Sequence, residues 1–144
     1  IGVGGIAKDY LSVAQMYSQS LSAVRLGTLI EEKSRVYSYK DYLFIKLLED
    51  LSKDKVNQYL NMSLDKTAQE VFKDRELLDT AEQFLNNSLN ISETARIMYM
   101  HRNTLIYRLD KIENMTGLNL RKFSDAMVFR TLNILYKLSK GESK

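Results

Sequence analysis

Apolar side chains recur along the chain with two periods, and the period sets the expected element. Tyr10, Ala14, Tyr17, Leu21 and Val24 stand at i, i+4, i+7, i+11 and i+14, the spacing of one stripe along an α-helix. Asp9 is the candidate cap, and the helix is expected to pass Gly27 and reach Glu31. On either side, residues 1–6 (IGVGGI) suggest a short buried strand entering a turn, and residues 35–39 (RVYSY) alternate as a strand does. Residues 42–51 (YLFIKLLEDL) predict a helix with a wide buried stripe of Phe44, Leu47, Leu48 and Leu51. A polar break at Ser52-Lys53-Asp54 precedes a short helix with Val56, Tyr59 and Leu60, then an amphipathic stretch from Ala68 to Phe72. Leu77, Leu78, Ala81, Phe84 and Leu85 mark a helix over residues 75–86, closed by Asn86-Asn87, either of which can take the left-handed conformation.

The most informative pattern covers residues 90–117, NISETARIMYMHRNTLIYRLDKIENMTG. Asn90 followed by Glu93 is a capping-box pair, so a helix is expected to begin near Ile91, burying Ile91, Ala95 and Met98 with Glu93 and Arg96 outward. The pattern breaks over Tyr99 and Met100. It resumes with Leu105, Leu109 and Ile112 at i, i+4 and i+7, and Gly117 stands where a helix would end. Two short helices joined by a tight turn are thus predicted, the second about four turns long. Beyond Gly117, Leu118 and Leu120 lie in a linker, and Ser124 is the expected cap of a last helix built on Val128, Leu132, Leu135 and Leu138. Its apolar face suits either the domain's own core or a second subunit.

If Leu105, Leu109 and Ile112 face inward, then Arg102, Asn103, Tyr107, Arg108 and Lys111 must face outward. They occupy the first turns of the second helix, where a helix-turn-helix protein carries the side chains that enter the major groove. Arg bonds guanine O6/N7 and Asn bonds adenine N6/N7, which makes Arg102 and Asn103 candidate base readers. Tyr107 is a third, suited to a thymine methyl or to a phosphate. Thr104, Arg108 and Lys111 are candidate phosphate contacts, and His101 at the turn suits a phosphate or a helix cap. Basic residues on an outer helix face are equally the pattern of a solvated surface, so a second reading is a dimerisation or protein-interaction module that does not touch DNA.

The run from Ser92 to Leu120 resembles the C-terminal helix-turn-helix of PucR/CdaR-type bacterial transcriptional regulators and, more distantly, the DNA-binding end of Fis-like proteins. The resemblance rests on His101-Arg102-Asn103-Thr104-Leu105, Tyr107-Arg108-Leu109 and Ile112-Glu113, with Thr94-Ala95 before and Thr116-Gly117-Leu118 after. A weaker one links Ile1-Gly2-Val3-Gly4, residues 18–24 and residues 36–42 to the end of the GGDEF-like module that precedes this domain in CdaR-type proteins. The first resemblance implies a recognition helix at about 102–114, double-stranded DNA as partner, and a small-metabolite effector bound by domains further N-terminal. One such unit covers too little surface to be selective, so a homodimer is expected, and with no membrane span or signal peptide in the sequence a cytoplasmic protein is expected. The expected divisions are residues 1–42 as the module's remnant, 43–74 as connecting helices and 75–144 as the DNA-binding domain. The expected fold is mainly α: a multi-helix domain containing a helix-turn-helix, with a short strand–helix–strand remnant at the N-terminus.

Charge supports the same reading. The net charge is only +3, but residues 1–90 hold eleven Lys and Arg against thirteen Asp and Glu, and residues 91–144 hold ten against five. The basic part is the part with the helix-turn-helix pattern. With no Cys and one His, thiolate or His-rich metal sites are excluded, and no cofactor is expected. No nucleophile–base arrangement or paired-carboxylate motif suggests an enzyme, and the glycine-rich start matches neither phosphate-binding glycine motif. No apolar run reaches the roughly 18 residues that span a bilayer. RNA is disfavoured by the lack of an aromatic platform on a sheet. Because the chain starts at Ile1 in an apolar glycine-rich segment, it is expected to be a piece of a longer protein.

Overall fold

Two strand fragments and eight helices make up the described residues, 1–30 and 34–141, of the computed structural model. In order these are β1 (Gly2–Val3), α1 (Val13–Ile30), β2 (Tyr37–Ser38), α2 (Leu43–Glu49), α3 (Lys53–Ser63), α4 (Lys66–Lys73), α5 (Arg75–Asn86), α6 (Ile91–Ile97), α7 (Arg102–Thr116) and α8 (Phe123–Gly141). The fold is mainly α, with a parallel strand–helix–strand piece at the start. The chain divides into two units, Ile1–Val56 with Lys137–Lys144, and Asn57–Tyr136.

In the first unit β1 and β2 pair in parallel, Gly2 opposite Tyr37 and Val3 opposite Ser38. The glycines have a steric role. A Cβ on Gly2 would stand 2.0 Å from the Ser20 carbonyl oxygen, and one on Gly4 would stand 2.1 Å from that of Met16, so β1 lies directly against α1. The structure departs from the sequence pattern in both α1 and α2. Helix α1 begins at Val13 rather than near Tyr10, while Asp9 accepts from the Ser12 N–H at 2.8 Å in the preceding turn. Its buried face is Ala23, Leu26 and Gly27, whereas Tyr10, Tyr17 and Leu21 are exposed. The expected extension to Glu31 lies outside the described residues. In α2 the inward side chain is Ile45, beside Tyr42, while Phe44 and Leu47 are exposed and Leu48 and Leu51 are only half-buried.

In the second unit, α7 packs against α4, α5 and α6, and α5 also meets α4 and α6. Asp65 caps α4 by accepting from the Ala68 N–H at 2.8 Å. Asp74 ends α4 and at the same time begins α5, its carboxylate accepting from the N–H groups of Glu76 and Leu77 at 3.0 and 3.1 Å. The Phe72 ring stacks on Phe129 of α8 at 5.1 Å and meets Tyr136 at 5.5 Å. At the end of α5 the left-handed residues are Ser88 (φ 55°) and Leu89 (φ 60°), not the expected Asn86 or Asn87. The Leu89 N–H reaches back to the Phe84 carbonyl at 3.0 Å, the long bond of a Schellman closure.

Helix α8 begins at Phe123, so Ser124 lies inside its first turn and is not its cap. The approach is held by Asp125, which accepts from the Asn119 N–H at 3.0 Å, and by buried Leu120. Leu132, Leu135 and Leu138 are buried as expected, but Val128 is exposed and Phe129 takes its inward place.

A Cβ on Gly27 would come within 2.0 Å of the Tyr37 ring, and that ring is itself buried. Gly27→Ala is therefore expected to destabilise the chain by about 1–3 kcal/mol, the usual cost of overpacking. Urea unfolding checks it, and a midpoint equal to that of the unsubstituted protein would show that the helix can back away from the strand.

Candidate nucleic-acid interface

Helix α6 starts where the capping pattern puts it. The Asn90 side chain accepts from the Glu93 N–H at 3.0 Å. The reciprocal half of the box is replaced, because the Asn90 N–H bonds the Asn87 carbonyl and the Glu93 carboxylate pairs with Arg96. That guanidinium holds the Glu93 carboxyl below its usual range. Thr94 and Ala95 are buried, and Ile91 and Met98 half-buried.

The turn to α7 is another Schellman closure. The Met100 N–H bonds the Ala95 carbonyl at 3.0 Å and the Tyr99 N–H bonds that of Arg96 at 3.2 Å. The left-handed position between them, where glycine is usual, holds Tyr99 at φ 51° and 98% exposed. In the sequence Tyr99 stands only as a break in the apolar pattern.

His101 is the N-cap of α7, its Nδ1 accepting from the Asn103 N–H at 3.2 Å. An accepting Nδ1 puts the proton of the neutral ring on Nε2, on a side chain that stays exposed. Cap and donor are thus separate nitrogens of one ring. Leu105, Leu109 and Ile112 are all fully buried. The helix ends at Thr116 and closes on Gly117 at φ 74°, whose N–H bonds the Glu113 carbonyl at 2.7 Å.

Arg102, Asn103, Thr104, Tyr107 and Lys111 are exposed, Tyr107 by 67%. Asn103, Tyr107 and Lys111 are four residues apart and share one row along the helix. Arg102 donates from Nη1 to the Ser92 hydroxyl at 2.8 Å, a neutral partner on the first turn of α6. Lys111 stands 4.0 Å from Asp74, a loose exposed pair. Arg108 departs from the expected layout. Its guanidinium turns toward α5, ion-paired to Glu76 and donating to the Thr80 hydroxyl at 3.1 Å, with its side chain only 18% exposed. Neither Glu76 nor Thr80 carries a sequence signal for this role, since both precede Arg108 by about 30 positions. The other basic side chain nearby, Arg121, bonds Asp110 at 2.8 Å.

Residues 77–131 match the PucR C-terminal helix-turn-helix domain. The chain is 30% identical over 129 residues to the purine catabolism regulatory protein of Bacillus subtilis, covering 90% of this chain and 24% of that protein. It is 27% identical over 126 residues to the proline-responsive transcriptional activator PutR of the same organism (85% and 31%). To the carbohydrate diacid regulator of Escherichia coli it is 28% identical over 117 residues (81% and 30%). It spans about a quarter to a third of the length of these relatives, all regulators by name and PutR a transcriptional activator. Among the described residues no helix is long and apolar enough to cross a membrane, and no cluster of His, Asp and Glu suits a metal ion.

Tyr99 and Gly117 share a backbone conformation but differ in suitability for it. Tyr99→Gly is expected to stabilise the domain by about 0.5–1 kcal/mol, relief of left-handed strain exceeding the extra flexibility of the unfolded chain. Gly117→Ala is expected to cost about 1 kcal/mol. Thermal melts of the pair should shift in opposite directions, and shifts of the same sign would refute this account of the two turns.

Proposed function

With residues 77–131 a PucR-type C-terminal helix-turn-helix domain, we propose that the chain binds double-stranded DNA sequence-specifically within a transcriptional regulator, α7 entering the major groove. The observation that carries this reading is the division of α7 into two faces: Leu105, Leu109 and Ile112 fully buried, and Arg102, Asn103 and Tyr107 exposed on the first two turns. Arg102 reads a guanine edge, exchanging the Ser92 hydroxyl for O6/N7. Asn103 reads an adenine edge, and Tyr107 contacts a thymine methyl or a phosphate. Thr104, Lys111 and the Nε2–H of His101 contact phosphates, as suits the N-terminal end of a helix. The phosphate contact first expected of Arg108 would require breaking its bonds to Glu76 and Thr80.

The protein acts in the cytoplasm as a homodimer, because one helix-turn-helix covers too few base pairs to select a site in a genome. Its effector is a small metabolite, bound by parts of the regulator other than these residues. Of the relatives, PutR is proline-responsive by name, and the other two names refer to purine catabolism and to carbohydrate diacids. Catalysis has no place in this reading.

Binding-site selection with the purified chain tests it. Affinity for the selected site should fall steeply between 50 and 200 mM salt, as phosphate contacts require. Arg102→Ala should cost about 1–3 kcal/mol on the selected site and relax preference at one base pair, whereas Lys111→Ala should weaken selected and random DNA alike. Binding that ignores salt, or no enriched sequence, would favour the protein-interaction module instead.

A second measurement tests the dimer. Selected sites should contain two half-sites with centres about 34 Å or a multiple of it apart, and inserting five base pairs between them should abolish tight binding. Undiminished binding of a monomer to one half-site would exclude the dimeric arrangement.

A further inference from the structure

Arg108 is the basic side chain of α7 that turns away from the exposed face, and its surroundings suggest another use. Thr80 is fully buried, and its hydroxyl donates to the Glu76 carbonyl at 2.7 Å while accepting from Arg108 at 3.1 Å. The same guanidinium pairs with the Glu76 carboxylate. Glu76 lies in the first turn of α5, where its N–H is fixed by Asp74. A planar group with two donors held by two acceptors on one helix is constrained in direction as well as distance.

Resting on the reading of α7 as the recognition helix, we propose that Arg108 is a positioning residue: with Glu76 and Thr80 it sets the rotation of α7 about its own axis, and so the aim of Arg102, Asn103 and Tyr107, without touching DNA. The apolar face alone leaves this rotation loose. Aliphatic side chains pack without directional bonds, so α7 can roll by some degrees while Leu105, Leu109 and Ile112 stay buried. Each residue turns the helix by 100°, so Arg108 projects beside Tyr107 yet off its row, and a tether there resists roll in both directions. The charge balance agrees. Glu76 neutralises Arg108, whereas Arg102 has only a hydroxyl to leave when a base edge replaces it.

Arg108→Met keeps the length of the side chain and removes the charge, and Glu76→Gln removes the partner's charge from an exposed side chain. The experiment measures binding of both variants, and of the double variant, to the selected site and to random DNA across a salt series. A positioning role predicts that each single variant loses roughly fivefold on the selected site, that the double variant is no weaker than either, and that random-DNA affinity and the salt slope are unchanged. A phosphate contact predicts that Arg108→Met lowers the salt slope by about 1 on both DNAs and that Glu76→Gln, by freeing Arg108, tightens binding. Either of those results overturns the proposal. Glu76→Gln leaves the buried Thr80 hydroxyl bonded and is expected to fold, so a collapse of Arg108→Met alone does not blunt the test. If the unsubstituted chain shows no salt-dependent DNA binding, the DNA-binding reading fails. Arg108 is then judged by amide exchange over residues 102–107, which must quicken equally in both variants.

Discussion

Burial of Leu105, Leu109 and Ile112 is the constraint from which the rest of the second unit follows. Hiding each such side chain is worth roughly 1.5–3 kcal/mol, so together they outweigh any partly exposed ion pair on the helix, which contributes about 1 kcal/mol or less. A turn of α7 by one residue would expose this row and drive polar groups into the contact with α4, α5 and α6. Apolar burial therefore decides which face is presented, and polar contacts act within the latitude that burial leaves. His101 fixes where the helix begins and Gly117 where it ends.

The same hierarchy explains what could be read in advance. Helix α7 was legible because it is four turns long, capped at both ends and buried on one side, so period and punctuation agree. The first unit was harder. Counting large apolar residues along α1 selects Tyr10, Tyr17 and Leu21, but the buried positions include Ala23 and Gly27, and at Gly27 the Tyr37 ring leaves no room for a side chain. In α2 nearly every position is apolar, and a continuous run carries no phase from which to choose the inner face. At the end of α5 the affinity of Asn for left-handed geometry pointed to the wrong residues, because the return of the Leu89 N–H to the Phe84 carbonyl dictates where the backbone must turn.

At the interface, exposure could be anticipated for Arg102, Asn103, Thr104, Tyr107 and Lys111, since it follows from the phase of the leucines. The direction of Arg108 could not, because its partners lie 28 and 32 positions earlier. The motif's electrostatics also depend on pairing more than on count. Glu93 offsets Arg96 and Glu76 offsets Arg108, so of the basic side chains of α6 and α7 among the described residues, Arg102 is the one held by a neutral group. A modest net charge is thus compatible with a cation, Arg102, that no carboxylate offsets at the start of α7.

Asp74 adds a mechanical property. Because one residue finishes α4 and starts α5, no slack separates the two rods. The only backbone between α4 and α5 is Asp74 itself, in an extended conformation. Glu76 sits in the opening turn of α5, two residues from the joint, so a single ion pair ties the α4–α5 junction to the side of α7.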